Sequence, residues 1–339
     1  MYLELIKEKP RDIAKNYGKP YYVYLSLSNM CNAKCSFCDV GVNREKVNAI
    51  DVTSVINELS NLGTKYIHFT GGGEPFVNDD IFEYLEYCTL KGMKIILISN
   101  GLNLNEEKIK QLSKYNIEAF FFSIDSSKPK IHNELRGIEH LWETATNNIN
   151  LLKIYMKDIK IVLNNVINTK NIDEFEEFIT MKNEVNFDYI NPIIIKSCAA
   201  LFPTDEQIKR YNNSVNHYYE LADEMNVKFL CKNINILEEE VANDGDRSEN
   251  EDNKCVYPSF CAFIDCPTGN VYPCDCSIHV DKEQYKIGNL IDSTFTEVWN
   301  GSKRHSLKEQ LLEGKLNCKR RCDEANCFFN DCYFKEGAK

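Results

Sequence analysis

No run of apolar residues in this 339-residue sequence approaches the ~18 that a membrane-spanning helix requires, so no membrane partner is expected. The first residues, from Met1 to Lys9, lack both an apolar core and a small-residue cleavage site. No secretory signal is expected there, and the protein is expected to be cytoplasmic. Basic residues are in deficit: 40 Lys and Arg against 51 Asp and Glu leave a net charge of −11. Gripping a phosphate backbone needs a dominant basic surface, so no nucleic-acid partner is expected either. The cluster Lys319, Arg320 and Arg321 is too short to reverse this balance.

Cysteine, by contrast, is abundant. In a short secreted domain 15 cysteines would mean disulfides, but in a large cytosolic chain the same density points to metal or catalysis. Three fall between residues 31 and 38 and nine between 255 and 332, leaving Cys88, Cys198 and Cys231 alone. Cys88, in a helical stretch between Tyr87 and Thr89, reads as core.

Strands are predicted at 21–27, 65–69, 94–98, 119–124, 159–167 and 189–195, with amphipathic helical stretches between and after them. One such helix is predicted over 172–185, and the next opens on a capping box, Thr204 to Gln207, and carries Ile208, Tyr211, Val215, Tyr218, Ala222 and Met225 on one stripe. Near-continuous apolar strands alternating with helices imply a parallel sheet covered by helices, with the chemistry at the C-terminal ends of the strands. An acidic, aperiodic stretch at 237–254 reads as a linker or loop. The expected division is an N-terminal segment (1–20), an α/β partial barrel (21–236), that linker, and a small Cys-rich C-terminal domain (255–339).

The motifs fall where strands end. After the first strand comes Cys31-x3-Cys35-x2-Cys38, with Phe37 before the last cysteine. Three thiolates in one loop can hold three irons of a [4Fe–4S] cube and leave the fourth iron open to a ligand. Zinc is the competing reading, but it wants four ligands, and the closest histidine, His68, falls within a predicted strand. After the second strand comes Gly71-Gly72-Gly73-Glu74-Pro75, whose glycines admit close backbone approach and whose carboxylate suits an ammonium group. Ser99-Asn100-Gly101 follows the third strand. Ser123-x-Asp125, His132 and Arg136-Gly137 follow the fourth, and Asn164 and Asn165 lie on the fifth. Taken singly, each of these also reads as turn chemistry.

Together, Cys31/Cys35/Cys38, Gly72-Gly73-Glu74-Pro75 and Ser123-x-Asp125 resemble the radical S-adenosylmethionine (radical SAM) superfamily over roughly residues 20–200. The resemblance implies a partial (β/α)6 TIM-like barrel. It implies a [4Fe–4S] cluster on the three cysteines, whose open iron binds S-adenosylmethionine. The Gly72–Glu74 edge would contact that cosubstrate's methionine amine, Ser123 and Asp125 would reach its ribose, and Arg136 would meet its carboxylate, with Ser99 and Asn164 as further cofactor-binding candidates. A reducing partner such as flavodoxin or ferredoxin is implied as well.

The C-terminal array reads Cys255-x5-Cys261, Cys266, Cys274-x-Cys276, then Cys318-x3-Cys322-x4-Cys327-x4-Cys332. It resembles the SPASM extension, which implies one or two auxiliary [4Fe–4S] clusters. All of these cysteines are candidate ligands except Cys266, the expected spare. The final spacing departs from the family's x2/x5/x3, and no cysteine follows Cys332. Either Cys276 takes the distal ligand's place, or one cluster keeps an open iron. A zinc ribbon is the alternative.

Two substrate readings stay open: a ribosomal peptide or protein side chain undergoing oxidation, cross-linking or epimerisation, and a small molecule such as a sugar, aminocyclitol or nucleoside. A non-catalytic iron–sulfur electron carrier is a remote third, since a carrier has no use for the Gly-Gly-Glu-Pro and Ser-x-Asp sites. Cys198, just past the sixth strand, could return a hydrogen atom to a substrate radical, or could be an ordinary buried cysteine.

Overall fold

The computed structural model describes residues 16–38, 49–195, 197–230, 234–236, 254–279 and 281–316. In chain order these form β1 (Tyr22–Ser26), α1 (Val52–Asn61), β2 (Tyr66–Thr70), α2 (Ile81–Leu90), β3 (Lys94–Ser99), α3 (Glu106–Leu112) and β4 (Ile117–Ser123). There follow α4 (Pro129–Arg136), α5 (Leu141–Tyr155), β5 (Lys160–Ile167), α6 (Phe175–Thr180), β6 (Tyr189–Ile194), α7 (Asp205–Asn213), α8 (Val215–Glu224) and β7 (Lys228–Phe229). The C-terminal part adds β8 (Cys261–Asp265), β9 (Asn270–Tyr272), α9 (Lys282–Tyr285), β10 (Gly288–Asn289), α10 (Phe295–Asn300) and α11 (Ser302–Leu312). The repeated strand–helix order, with parallel strands, is the expected α/β partial-barrel class.

The chain forms two compact units, Met1–Asn29 with Glu45–Ile95 and Asp244–Lys339, and Met30–Arg44 with Ile96–Asn243. In the first unit β1 lies between β2 and β8 and is parallel to both, so Tyr22 pairs with Tyr66 on one side and Cys261 on the other. All five residues of β1 are buried. Such a strand has no wet face, which is why its sequence is apolar and aromatic rather than alternating. β8 was not foreseen: its cysteines drew attention to metal chemistry, yet Cys-Ala-Phe-Ile-Asp is a good buried strand. The hairpin of β8 and β9 turns at Gly269, whose φ of +73° favours glycine. α10, opened by the capping box of Thr294 and Glu297, packs on α1. Its Trp299 is fully buried and donates Nε1–H to the carbonyl of Gly18 at 2.8 Å, with the Arg304 guanidinium 3.4 Å from the ring centroid.

In the second unit β4, β5, β6 and β7 are parallel neighbours. β4 is buried from Ala119 to Phe122. Phe122 faces the helical layer: a Cβ at Gly101, whose φ is +82°, would meet both Phe122 and Ala145 of α5. The expected capping box at Thr204 is present. Two predicted helices prove to be broken. The stretch 172–185 is a short α6 between single 3-10 turns, and the long helix after Thr204 is interrupted at Ser214, which ends α7 and starts α8.

Replacing Trp299 by Ala should destabilise the first unit by about 3–5 kcal/mol, through lost burial and the cavity left behind. Trp299→Phe, which loses the indole hydrogen bond, should cost about 1–2 kcal/mol. Denaturant unfolding of the anaerobic protein measures both.

Candidate active site

The cysteine loop is fastened at three places within the second unit. On one side Asn32 sits in a chain of amides: Asn100 Nδ2 donates to its Oδ1 at 2.7 Å, and its own Nδ2 donates to Asn103 Oδ1 at 3.0 Å. Asn100 is presented by the turn after β3, where Ser99 Oγ accepts from the Gly101 N–H and Asn100 Oδ1 from that of Leu102, both at 2.9 Å. On the other side the loop completes the end of α4. The last carbonyls of a helix have no intrahelical donor. Here Leu135 and Arg136 accept from the N–H groups of Ser36 and Lys34 at 2.8 and 3.1 Å. Gly137 adopts a left-handed φ of +66°, and a Cβ there would lie 2.7 Å from the Lys34 carbonyl oxygen. Thirdly, Ser197 Oγ donates to the Phe37 carbonyl. Phe37 and Cys198 pack against the buried group Leu135, Ile195 and Leu201. Within the loop the Cys38 N–H bonds the Cys35 carbonyl at 3.2 Å, and Cys31 Sγ accepts from the Ala33 N–H at 3.4 Å.

Arg136 binds what this framework presents. Its Nε and Nη2 donate to Asp125 Oδ2 and Oδ1 at 2.6 and 2.9 Å, and its Nη1 lies 3.7 Å from Cys35 Sγ. The ring of Phe37 is 5.2 Å from the guanidinium. Asp125 is completely buried, and Oδ1 also accepts from the Val166 N–H at 3.1 Å. Its backbone is held as well. The carbonyl accepts from Asn165 and Asn171 Nδ2 at 2.8 and 2.6 Å, and the N–H donates to His132 Nδ1 at 3.1 Å. That bond leaves the His132 proton on Nε2, a buried atom without a partner among the described residues. Asp125, for which the resemblance implied a ribose contact, thus has both carboxylate oxygens engaged by protein donors.

Electrostatics follow the geometry. Burial, only partly offset by Arg136, pushes the Cys35 thiol up. Burial also opposes the Arg136 charge, but Asp125 and Cys35 outweigh it and its pKa rises. Burial holds His132 down to about 4 against the pull of Asp125.

A polar row crosses the sheet face turned away from α5. Ser123 on β4 pairs in register with Asn164 on β5, and Asn164 with Asn191 on β6. Asn191 Nδ2 donates to Asn164 Oδ1 at 2.8 Å. In the first unit Ser26 Oγ, at the end of β1, accepts from the Gly72 N–H at 3.0 Å. The glycine turn folds so tightly that a Cβ on Gly71 would lie 2.3 Å from the Gly73 oxygen. Glu74 is buried, and its Oε1 accepts from the Phe76 N–H at 3.2 Å, capping the 3-10 turn Pro75–Val77.

The C-terminal cysteines 255, 261, 266 and 274 are all buried thiols in the first unit. Cys261 starts β8, and the Cys266 N–H donates to the Ser26 carbonyl at 3.0 Å. Burial raises the pKa of both. The side chain of Cys276, together with Cys231, Cys318, Cys322, Cys327 and Cys332, lies outside the described residues. Cys88 is buried on α2, as expected of a core residue. Among the described residues no three His, Cys, Asp or Glu side chains converge as they would around a single metal ion. The structure thus brings Cys35, Asp125 and Arg136 together, sets Cys198 and Phe37 against the same buried group, and aligns Ser123 with Asn164. Sequence reasoning missed Asn32, Asn103, Asn191 and the two α4 carbonyls. Only the Asn-rich loops hinted at them.

Residues 25–181 match the radical SAM superfamily, and residues 255–328 match the SPASM iron–sulfur cluster-binding domain. The chain belongs to the radical SAM superfamily. Within it, this is an enzyme with a C-terminal SPASM extension, and its cofactors are S-adenosylmethionine and [4Fe–4S] clusters. The AdoMet-dependent heme synthase of Methanosarcina barkeri is 22% identical over 315 residues, which cover 87% of each chain. That of Oleidesulfovibrio alaskensis is 21% identical over 300 residues, 81% of this chain and 73% of the relative. Among solved structures, Streptococcus suis SuiB bound to S-adenosylmethionine superposes with a TM-score of 0.65 at 18% identity, covering 94% of this chain and 76% of SuiB. AdoMet-bound anSMEcpe gives 0.64 at 19% identity, covering 89% of this chain and 87% of that one. These two likenesses show the fold.

Gly137→Ala should cost about 1–3 kcal/mol, from the left-handed backbone and the clash with Lys34, read as a lowered unfolding midpoint. Stability should also depend on acidity. His132 ionises near 4 when folded but near 6.5 when unfolded, so between these values the unfolded chain binds the extra proton. Stability should therefore be level above pH ~6.5 and fall toward pH 4 by up to about 1.4 kcal/mol per unit from this residue. Comparing the pH dependence of unfolding in His132→Gln and the parent isolates that slope.

Proposed function

We propose that Cys31, Cys35 and Cys38 hold a [4Fe–4S] cluster with one iron free of protein ligands, and that the enzyme uses it to abstract a hydrogen atom from a carbon of a ribosomal peptide or protein side chain. The observation that carries this reading is the fastened cysteine loop, with the Arg136 guanidinium against Cys35 Sγ. Three soft thiolate donors beside a cation fit an anionic iron–sulfur cluster better than a closed zinc site, which would want a fourth ligand. When bound, such a cluster supplies one electron to the sulfonium of S-adenosylmethionine, breaking its S–C5′ bond to give methionine and a 5′-deoxyadenosyl radical.

The chain's own residues bind, orient and shield. Ser123 and Asn164, steadied by Asn191, suit the ribose hydroxyls. The backbone of Gly72 and Gly73, with Glu74 and Ser99, suits the methionine amine and its surroundings. Arg136 supplies positive charge for the carboxylate, and Asp125 acts through it. Cys255, Cys261, Cys274, Cys276, Cys318, Cys322, Cys327 and Cys332 provide the eight thiolates of two auxiliary clusters, with Cys266 to spare. Held by these thiolates, such clusters would supply a one-electron acceptor near the substrate. The peptide reading is supported by SuiB and anSMEcpe, proteins of this fold seen with the precursor peptide SuiA and with the Cp18Cys peptide, respectively. A small-molecule reading, with a haem precursor as substrate, is favoured by the heme synthases that align over most of both chains.

The anaerobically reconstituted, reduced protein should carry about 12 irons and release 5′-deoxyadenosine, and alanine at Cys31, Cys35 and Cys38 together should abolish that release. Undiminished release from the triple variant would sink the proposal. Mass spectrometry separates the outcomes. A peptide lighter by about 2 Da marks oxidation, one solvent deuterium marks epimerisation, and turnover of a haem precursor alone selects the small-molecule reading. If Cys198 is the hydrogen donor, Cys198→Ala should lose deuterium incorporation while still forming 5′-deoxyadenosine.

A further inference from the structure

We infer that Arg136, clasped by Asp125, is a positioning residue that gives the Cys35 sulfur a fixed cationic N–H donor and thereby raises the reduction potential of the cluster on Cys31, Cys35 and Cys38, whether or not S-adenosylmethionine is bound. This rests on the reading of those cysteines as cluster ligands.

The geometry divides the guanidinium into two ends. Nε and Nη2 form a two-pronged bond with Asp125, and Nη1 is left directed at Cys35 Sγ, 3.7 Å away. Asp125 cannot swing to release it. Its Oδ1 is shared with the Val166 N–H, and its main chain is tied to His132, Asn165 and Asn171. The sulfur is held just as firmly. The residues on either side of Cys35, Lys34 and Ser36, donate their N–H groups to the carbonyls of Arg136 and Leu135, so the donor and the thiol share one backbone frame. The Phe37 ring lies 5.2 Å from the guanidinium as a cation–π partner. Cys38 is exposed, and Cys31 and Cys35 are both half-buried.

Reduction adds negative charge that spreads onto the ligand sulfurs. A hydrogen bond and a positive charge at one of them favour the reduced form over the oxidised one, and hydrogen bonds to sulfur are among the recognised controls of cluster potential. Low local dielectric strengthens the effect. Lysine could not replace this device. A single ammonium lacks the planar fork that grips Asp125 with two nitrogens and spares a third.

The test is an EPR-monitored redox titration of the full reconstituted chain without S-adenosylmethionine. The relevant signal is the one that disappears when Cys31, Cys35 and Cys38 are all alanine. Arg136→Lys misplaces the donor. The double variant Asp125→Asn/Arg136→Gln removes both charges together and so leaves no lone buried carboxylate to unfold the protein. Both should keep the wild-type iron content and shift the midpoint to more negative potential, leaving a severalfold smaller reduced fraction at a fixed potential. Midpoints coinciding with wild type would overturn the inference, even if binding of S-adenosylmethionine weakened, for Arg136 would then serve the carboxylate alone. A wild-type protein with no cysteine-dependent signal would overturn the cluster assignment itself, and this inference with it.

Discussion

The buried pair of Asp125 and Arg136 is the fixed point around which the second unit organises its cysteine loop. A completely buried carboxylate is tolerable only when it is paired and hydrogen-bonded. Here Arg136 and the Val166 N–H give it three hydrogen bonds, while His132, Asn165 and Asn171 hold the same residue by its main chain. Removing one charge alone would strand the other, a loss of about 3–5 kcal/mol in comparable buried pairs. The pair ties α4 back to the strand before it: Asp125 follows β4, Arg136 ends α4, and the carbonyls of that end receive the distant loop of residues 34–36. A helix terminus that would otherwise need a cap is completed by the segment it positions.

Much of this was legible in the sequence, for a physical reason. Parallel strands buried on both faces must be apolar throughout, so β4, with Ala119 to Phe122, stands out in the primary structure. The cysteine, glycine and Ser-x-Asp motifs were readable because their chemistry is local and their spacing short. The parts that stayed hidden depend on pairing across sequence. Asn32, Asn100 and Asn103 each look like turn residues, and only the fold joins them into a chain of amides. Asp125 looked free to bind a ligand until Arg136 was found on both of its oxygens. The interruption at Ser214 was masked by an apolar stripe that runs through both α7 and α8.

The cysteine-rich C-terminal segment shows the same division. Its motif content pointed to auxiliary clusters, and the SPASM match covers it. Its part in the first unit's sheet was not visible, because β8 owes its identity as a strand to its partner β1. Tyr22 to Ser26 and Cys261 to Asp265 pair residue for residue, and the Cys266 N–H continues the ladder onto Ser26. Ser26 in turn holds the Gly72 N–H through its hydroxyl, so the glycine turn and the start of the SPASM segment are fixed by the same residue.

The pairing of β1 with β8 has a consequence for how the chain is made. On the ribosome β1 (Tyr22–Ser26) must wait for the long stretch of chain up to Cys261 before its second neighbour, β8, arrives. All described elements of the other unit are synthesised in that interval. Until β8 is made, β1 lacks its partner on that side, a window in which its aromatic edge is open to chaperones or to mispairing.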